Sequence, residues 1–420
     1  MSSEPRLDRR LGTGDAVVLG LGSMIGAGVF AAFAPAARAA GSGLLIGLGL
    51  AAVVAYCNAT ASAQLAAQYP ESGGTYVYGR ERLGPWWGFF AGWAFVVGKT
   101  ASCAAMALTF AAYTVPPAWQ RPAAVAAVVA LVAVNYRGIT RTARLTRLLL
   151  AVVLAALAVA VLAALSAETA DAGRLTDWSD VPHGWYGVLQ AAGLLFFAFA
   201  GYARLATLGE EVRDPARTIP RAIPLALGIA VAVYAVVAGT LLVALGPRGI
   251  AASGTPVAGA VAAGPWEWAS PLVGIGAAAA SLGALLGLVA GVGRTGLAMA
   301  RTGDLPGWLA AVHPRHRVPH HAELALGAVV CGLVLTADLR ALIGFSSFGV
   351  LLYYLVANVA AYTQPADHRR WPRALQVAGG TGCIVLAATL PWSSVAVGVA
   401  TLAVGAGLRA LGRRPPDHRA

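Results

Sequence analysis

Charge is what this chain of 420 residues has least of: 11% of it is Asp, Glu, Lys or Arg, where a soluble domain carries roughly a quarter. That shortfall excludes the ordinary water-soluble classes. Lysine is almost missing, with Lys99 the single copy. The four cysteines, Cys57, Cys103, Cys331 and Cys383, each fall inside an apolar run without CxxC spacing, so they read as packing residues and not as a disulfide framework. Apolar–polar alternation with a period of two is absent, which argues against a membrane barrel. There is no HExxH, no GxSxG and no acid pair within an apolar run, so neither an intramembrane enzyme nor any cofactor or metal is implied.

What is present is apolar, 58% of the chain. A helix needs about 20 such residues to cross a bilayer, and lipid forces the backbone to pair with itself. About twelve spans are expected, near 14–36, 42–68, 86–114, 122–137, 145–166, 185–208, 222–245, 270–299, 321–337, 340–362, 374–390 and 393–411. The longest loops are 246–269 and 300–320. The first span has a basic flank, but its run is too long and too rich in glycine for a cleaved signal peptide.

The formal charge is +12. Nucleic acid is not the expected partner, because the bases sit in short loops between spans. With the N-terminus inside, the inner loops hold Arg80, Arg82, Arg137, Arg141, Arg144, Arg147, Arg213, Arg217, Arg221, Arg301, Arg315, Arg317, Arg369, Arg370 and Arg373, with further arginines in both tails. The outer side holds only Arg38, Arg121, Arg174, Arg248 and Arg340, and the outer loop 167–184 is acidic. This asymmetry follows the positive-inside rule, requires an even span count, and predicts that both termini are cytoplasmic.

Two spans carry break signals. Gly20, Gly22, Gly26 and Gly28 crowd the first, each costing a helix about 1 kcal/mol relative to alanine. Unwinding, which frees amides and carbonyls for a charged ligand, and close helix packing both fit; GxGxxG spacing fails. The sixth span carries Phe196-Phe197-Ala198-Phe199-Ala200-Gly201-Tyr202. Spans one and six would each begin a five-helix half, and the odd offset inverts one half relative to the other. Matching interruptions in inverted halves point to a transporter's binding site. Free amides at Ala27 and Gly28 favour a carboxylate, and free carbonyls in the sixth span favour an ammonium, a pair that suits a zwitterion.

Gly22-Ser23-Met24-Ile25-Gly26-Ala27-Gly28-Val29-Phe30 resembles the first-helix signature of the amino acid–polyamine–organocation superfamily. Pro70-Glu71-Ser72-Gly73-Gly74-Thr75-Tyr76 resembles its loop after the second helix. Phe197 to Gly201, Glu210-Glu211-Val212-Arg213-Asp214-Pro215 and Ile219-Pro220-Arg221 resemble its sixth helix and following loop. The likeness is collinear over about residues 11–365, and the nearest branch resembles the cationic-amino-acid-transporter-like bacterial permeases. It implies an all-α, LeuT-like fold with discontinuous helices one and six. The divisions would be an N-terminal tail (1–13), a first repeat (14–166), an outer loop (167–184), a second, inverted repeat (185–362), two peripheral helices (363–411) and a tail (412–420) expected to lack structure. It implies a bacterial cytoplasmic-membrane permease moving amino acids by proton symport or exchange, with an amino-acid sensor or a channel as the alternatives. The substrate site would comprise Ser23, Met24, Ile25, Gly26, Ala27, Gly28, Phe197, Ala198, Phe199, Ala200 and Gly201. The carboxylate would lie near Ala27 and Gly28, the ammonium at the carbonyls of Met24, Phe197 and Ala200, and Phe197 would be a gate.

Lys99 lies mid-span, where a lysine costs about 3 kcal/mol on insertion scales. It reads as a pocket or proton-coupling group, since an ammonium removed from water gives up its proton more readily, or else as a structural lysine between helices. Many proton-coupled relatives resemble one another in a fifth-helix lysine, where this chain has Val153. In the family this part of the third helix faces the substrate side chain, so a positive charge there disfavours a cationic substrate. Arg204 would line the inner vestibule or pair with Glu210 or Glu211. Arg294 is expected to reach the inner interface. Gly283, Gly287 and Gly291 read as a close-packing stripe. His313, His316, His320 and His321 read as part of a basic loop in preference to a metal site.

Overall fold

A computed structural model describes residues 11–70, 73–138, 143–206 and 212–412. The tails 1–10 and 413–420, with Glu71, Ser72, Arg141, Glu210 and Glu211, lie outside the described residues, so the proposed pairing of Arg204 with Glu210 or Glu211 does too. The described chain is all helix apart from one isolated bridge between Leu11 and Val212. Among the described residues ten helical segments are long and apolar enough to cross a membrane: Thr13–Ala31, Phe33–Gln68, Pro85–Thr114, Pro117–Tyr136, Ala143–Leu165, Gly184–Ala206, Pro215–Ala252, Glu267–Arg301, Leu339–Tyr362 and Trp392–Leu411. Two helices of 17 residues, His320–Thr336 and Arg373–Thr389, occupy the places of the ninth and eleventh expected spans. At about 25 Å each they sit at the short limit for a crossing. Spans are named below by these ordinal places.

Two threonines of the third span are served within their own helix. Thr100 and Thr109 return their hydroxyls to the carbonyls of Val96 and Ala105, both at 2.7 Å, so neither brings an unpaired donor into lipid. Gly84 (φ 101°) turns the chain and Pro85 opens the third span, where its missing N–H costs nothing. Asp338 caps the tenth span by accepting from Ala341 N at 2.9 Å.

Burial sorts the helices into a core and a rim. The first, third, sixth and tenth spans are 72–78% buried, the fourth and twelfth 17% and 22%. The buried four form the centre, with the third packed against both the tenth and the eighth, and the first against the seventh. The loop 167–183 is pinned to this core at Gly41 (φ 55°), whose neighbour Ser42 donates to Asp180 O at 2.8 Å. A Cβ at Gly41 would strike that same Asp180 carbonyl.

Three expectations need correction. The loop 246–269 is largely helical: the seventh helix turns at Gly246 (φ 66°, ψ 169°) and runs on to Ala252, and Pro256–Ala262 follows. The segment after the second span forms the short helix Thr75–Leu83. In the glycine stripe of the eighth span Gly283 is buried, but Gly287 and Gly291 are not packing contacts, because a Cβ at either would meet open space. Close approach occurs instead at Gly276, against Ala156, and between Gly98 and Gly349. Spacing of four residues places glycines on one face but does not say which neighbour that face meets.

Candidate functional site

The first span breaks where the glycines predict. Helix Thr13–Met24 ends at Ile25, whose ψ of 57° leaves the helical region. Ile25 N still reaches Leu21 O (2.7 Å), while Gly26 N turns back onto Met24 O (2.7 Å). The helix resumes at Gly28, with Ala27 O accepting from Phe30 and Ala31, and it continues through Ala32 into Phe33–Ala40. Ala27 and Gly28 therefore head a new helix, where amides have no preceding turn to donate to. The sixth span tightens instead of opening. Gly184–Phe199 passes into a 3-10 turn at Ala200–Tyr202 before Ala203–Ala206. Ring packing of Phe196 on Tyr354 (5.9 Å) and of Phe199 on Tyr234 (5.0 Å) fixes that turn from two sides.

These two interruptions cross in opposite directions and touch at two places. A Cβ at Gly28 would lie 2.6 Å from Ala198 Cα, and one at Gly201 would strike the Ser23 carbonyl. Gly26 abuts the eighth span at Ala284, so the glycines of the first span serve both the break and close approach.

Tyr234, on the seventh span and 1% exposed, ties the crossing together. Its hydroxyl lies 2.6 Å from Met24 O and 3.0 Å from Ala198 O, one carbonyl from each broken helix. No motif in the sequence marks it, although a lone phenol in an apolar run must find a partner and is itself a signal. Tyr234→Phe is expected to lower stability by about 1–3 kcal/mol, the range for leaving buried polar groups unserved. A fall in the thermal midpoint of the detergent-purified protein checks it, and an unchanged midpoint would assign the phenol no structural part.

Lys99 meets the crossing from the third span. It is 5% exposed, and its Nζ donates to Ala200 O at 3.2 Å. Of the carbonyls expected to receive an ammonium, Ala200 O is thus engaged by Lys99 and Met24 O by Tyr234. Ser23 spends its hydroxyl on Leu19 O (2.9 Å). Ile25, Ala27, Ala198 and Phe199 are buried. Phe197 is 7% exposed and, unlike Phe196 and Phe199, forms no ring pair among the described residues. Val153 is buried in the fifth span.

The remaining candidates lie elsewhere. Arg204 is half-buried just beyond the turn, and Arg294 is exposed. His313, His316, His320 and His321 pack ring to ring, with His313 and His320 centroids 5.3 Å apart, and Tyr136 caps them. Among the described residues no His/Cys/Asp/Glu group has metal-binding geometry. A cavity of about 580 Å³, lined by Trp93, Val292, Leu326, Phe345 and Val397 among others, is almost wholly apolar and stands apart from the crossing.

The amino acid permease family matches residues 11–411, from the start of the first span to the end of the twelfth. An uncharacterized transporter of Mycobacterium tuberculosis is 62% identical over 399 residues, spanning 95% of this chain and 90% of its own length. A branched-chain amino acid permease of Bacillus subtilis is 27% identical over 431 residues, with 96% and 93% coverage. The human cationic amino acid transporter 4 is 30% identical over 379 residues, covering 84% of this chain but 59% of that protein. The family match includes both broken spans and the third span that carries Lys99. This chain therefore belongs to the amino acid permease family of the amino acid–polyamine–organocation superfamily, as a bacterial multi-pass membrane protein that is a secondary transporter of amino acids and not an enzyme.

Proposed function

We propose that the crossing of the first and sixth spans holds the zwitterionic end of an amino acid. The carboxylate is received at the amides of Ala27 and Gly28, and the ammonium at the carbonyls of Met24, Phe197 and Ala200. Ser23, Ile25, Gly26, Ala198, Phe199 and Gly201 shape the space, and Phe197 closes over it. The observation that carries this reading is the pair of opposed interruptions in contact at Gly28–Ala198 and Ser23–Gly201. One bared helix start and one run of carbonyls then meet in a site shielded from water, which matches the two ends of a zwitterion.

The same reading takes all twelve helices as crossings. Residues 14–166 and 185–362 form inverted five-helix halves of LeuT-like type, 363–411 two peripheral helices, and both termini are cytoplasmic, as the arginine asymmetry requires. The two halves rock about the crossing to give alternating access. The substrate is a neutral or acidic amino acid. Relatives named for cationic amino acids are 26–30% identical, and the similarly distant Bacillus subtilis relative is named for branched-chain ones. The charge of Lys99 beside the sixth-span turn opposes a second cation.

Lys99 is the proton-coupling group, with exchange or proton-linked transport as the mode. In proteoliposomes, a transmembrane pH difference is expected to change amino acid flux through the wild type and to have no effect on Lys99→Ala. A pH response surviving intact in the variant would remove Lys99 from the coupling. Counterflow of labelled amino acid tests the carrier reading separately, because a channel or sensor shows no trans-stimulation.

A further inference from the structure

Lys99 stands where the ligand's ammonium is expected. Its Nζ already donates to Ala200 O at 3.2 Å, its one hydrogen bond among the described residues. A second ammonium converging on this carbonyl would bring two like charges within a few ångströms at a buried position, where solvent screens the repulsion poorly. Among the described residues no carboxylate pairs with Lys99. Cys103 lies one turn along the same helix. The sixth span contributes Tyr202 and Arg204, the tenth Tyr353 and Tyr354, the eighth Arg294 and the ninth Glu323. None of these forms an ion pair with Lys99 among the described residues. A bound zwitterion adds its carboxylate at the far side of the crossing and its positive end toward Lys99.

We propose that the proton on Lys99 and the ammonium of a neutral amino acid occupy the Ala200 carbonyl alternately, so that the protein exchanges amino acid for proton instead of carrying the two together. This rests on reading the crossing as the amino acid site. On binding, an Nζ–H bond breaks, the electron pair stays on nitrogen and the proton leaves to water on the side where the site is open. The substrate ammonium then donates to Ala200 O. On release, a proton from water returns to Nζ. Each turnover moves one proton against one amino acid, and because the zwitterion is neutral, one positive charge crosses. Acid on one side loads Lys99 there and expels substrate to that side, so an inward proton gradient drives export.

Proton release decides the matter directly. The purified full-length protein, in weak buffer with a pH-sensitive dye, is titrated with each neutral amino acid from L-alanine to L-phenylalanine. The tightest binder is then compared with its hydroxy-acid analogue, which has no ammonium. About one proton released per amino acid bound is expected, with affinity falling about tenfold per unit of acidification where Lys99 is neutral at the bound site and charged at the free one. The hydroxy acid should bind without releasing a proton. Lys99→Met should lose the release, and whatever affinity it keeps should no longer vary with pH. Should that variant fail to fold, the wild-type comparison of amino and hydroxy acid decides alone. Amino acid binding with proton uptake, or with no proton change, would overturn the exchange while leaving the zwitterion site standing. No binding by any neutral amino acid would sink the neutral-substrate reading and this inference with it.

Discussion

Gly201→Ala is expected to cut amino acid flux in proteoliposomes by at least about tenfold, and Gly28→Ala to do the same. The methyl group at position 201 would strike the carbonyl of Ser23 and come within 2.6 Å of Met24 N. These are backbone atoms, so no rotamer change relieves the clash and the two broken helices must move apart. At position 28 the new carbon would sit 2.6 Å from Ala198 Cα and 2.7 Å from its Cβ. Overpacking of this kind costs about 1–3 kcal/mol, and here the strain falls on the two segments that must hold the ligand. Gly287→Ala and Gly291→Ala serve as controls on another helix, because a methyl there meets open space. Each should transport normally and gain up to about 1 kcal/mol of helix stability. Wild-type flux through Gly201→Ala would show that the close crossing is not needed for transport.

The helices were legible because lipid demands them: a run of apolar residues has few alternatives to a spanning helix. The breaks were legible because glycine is costly inside one, and the structure interrupts the first span at Ile25 and Gly26, within that run. What the sequence hid is partnership across distance. Tyr234 lies 210 positions from Met24, and Lys99 101 positions from Ala200. Nothing local in either residue says which carbonyl it will meet. Lys99 was conspicuous only because its charge is out of place in a span. The misplaced loop at 246–269 has another cause. Its helices carry prolines at Pro247 and Pro256, near their first turns, where proline is tolerated. The same prolines and glycines read as punctuation in a sequence. Gly287 and Gly291 of the eighth span misled in the reverse way, since regular spacing identified a face but not a neighbour.

Asp304→Ala is expected to destabilise the protein by about 3–5 kcal/mol, the cost of leaving a buried charge without its counter-ion. Asp304 follows the eighth span and has no exposed side-chain surface. It accepts hydrogen bonds from Arg80 at 3.1 Å and Tyr76 OH at 2.9 Å on the short helix Thr75–Leu83, and it lies 3.0 Å from the Arg409 guanidinium of the twelfth span in an ion pair. Arg409 is equally buried. It donates to Pro85 O at 2.8 Å and lies 4.6 Å from the ring centres of Trp86 and Phe89. One carboxylate thus serves two guanidinium groups and joins three elements on the same side of the bundle. Deleting it sets two positive charges against each other, one of them fully buried. Arg409→Leu should cost less, because Asp304 keeps Arg80 and Tyr76, and a leucine still fills the space beside Trp86 and Phe89. The pair Asp304→Leu with Arg409→Leu should be more stable than Asp304→Ala alone, since the remaining Arg80 is 29% exposed and can turn to water. Thermal midpoints of the three variants in detergent give the order. If the double variant were the least stable of the three, the cluster would be held by its hydrogen bonds and packing and not by balance of charge. The twelfth span would then be anchored by contacts that survive neutralisation. The expected order instead makes Asp304 the charge on which the docking of this otherwise lipid-facing helix depends.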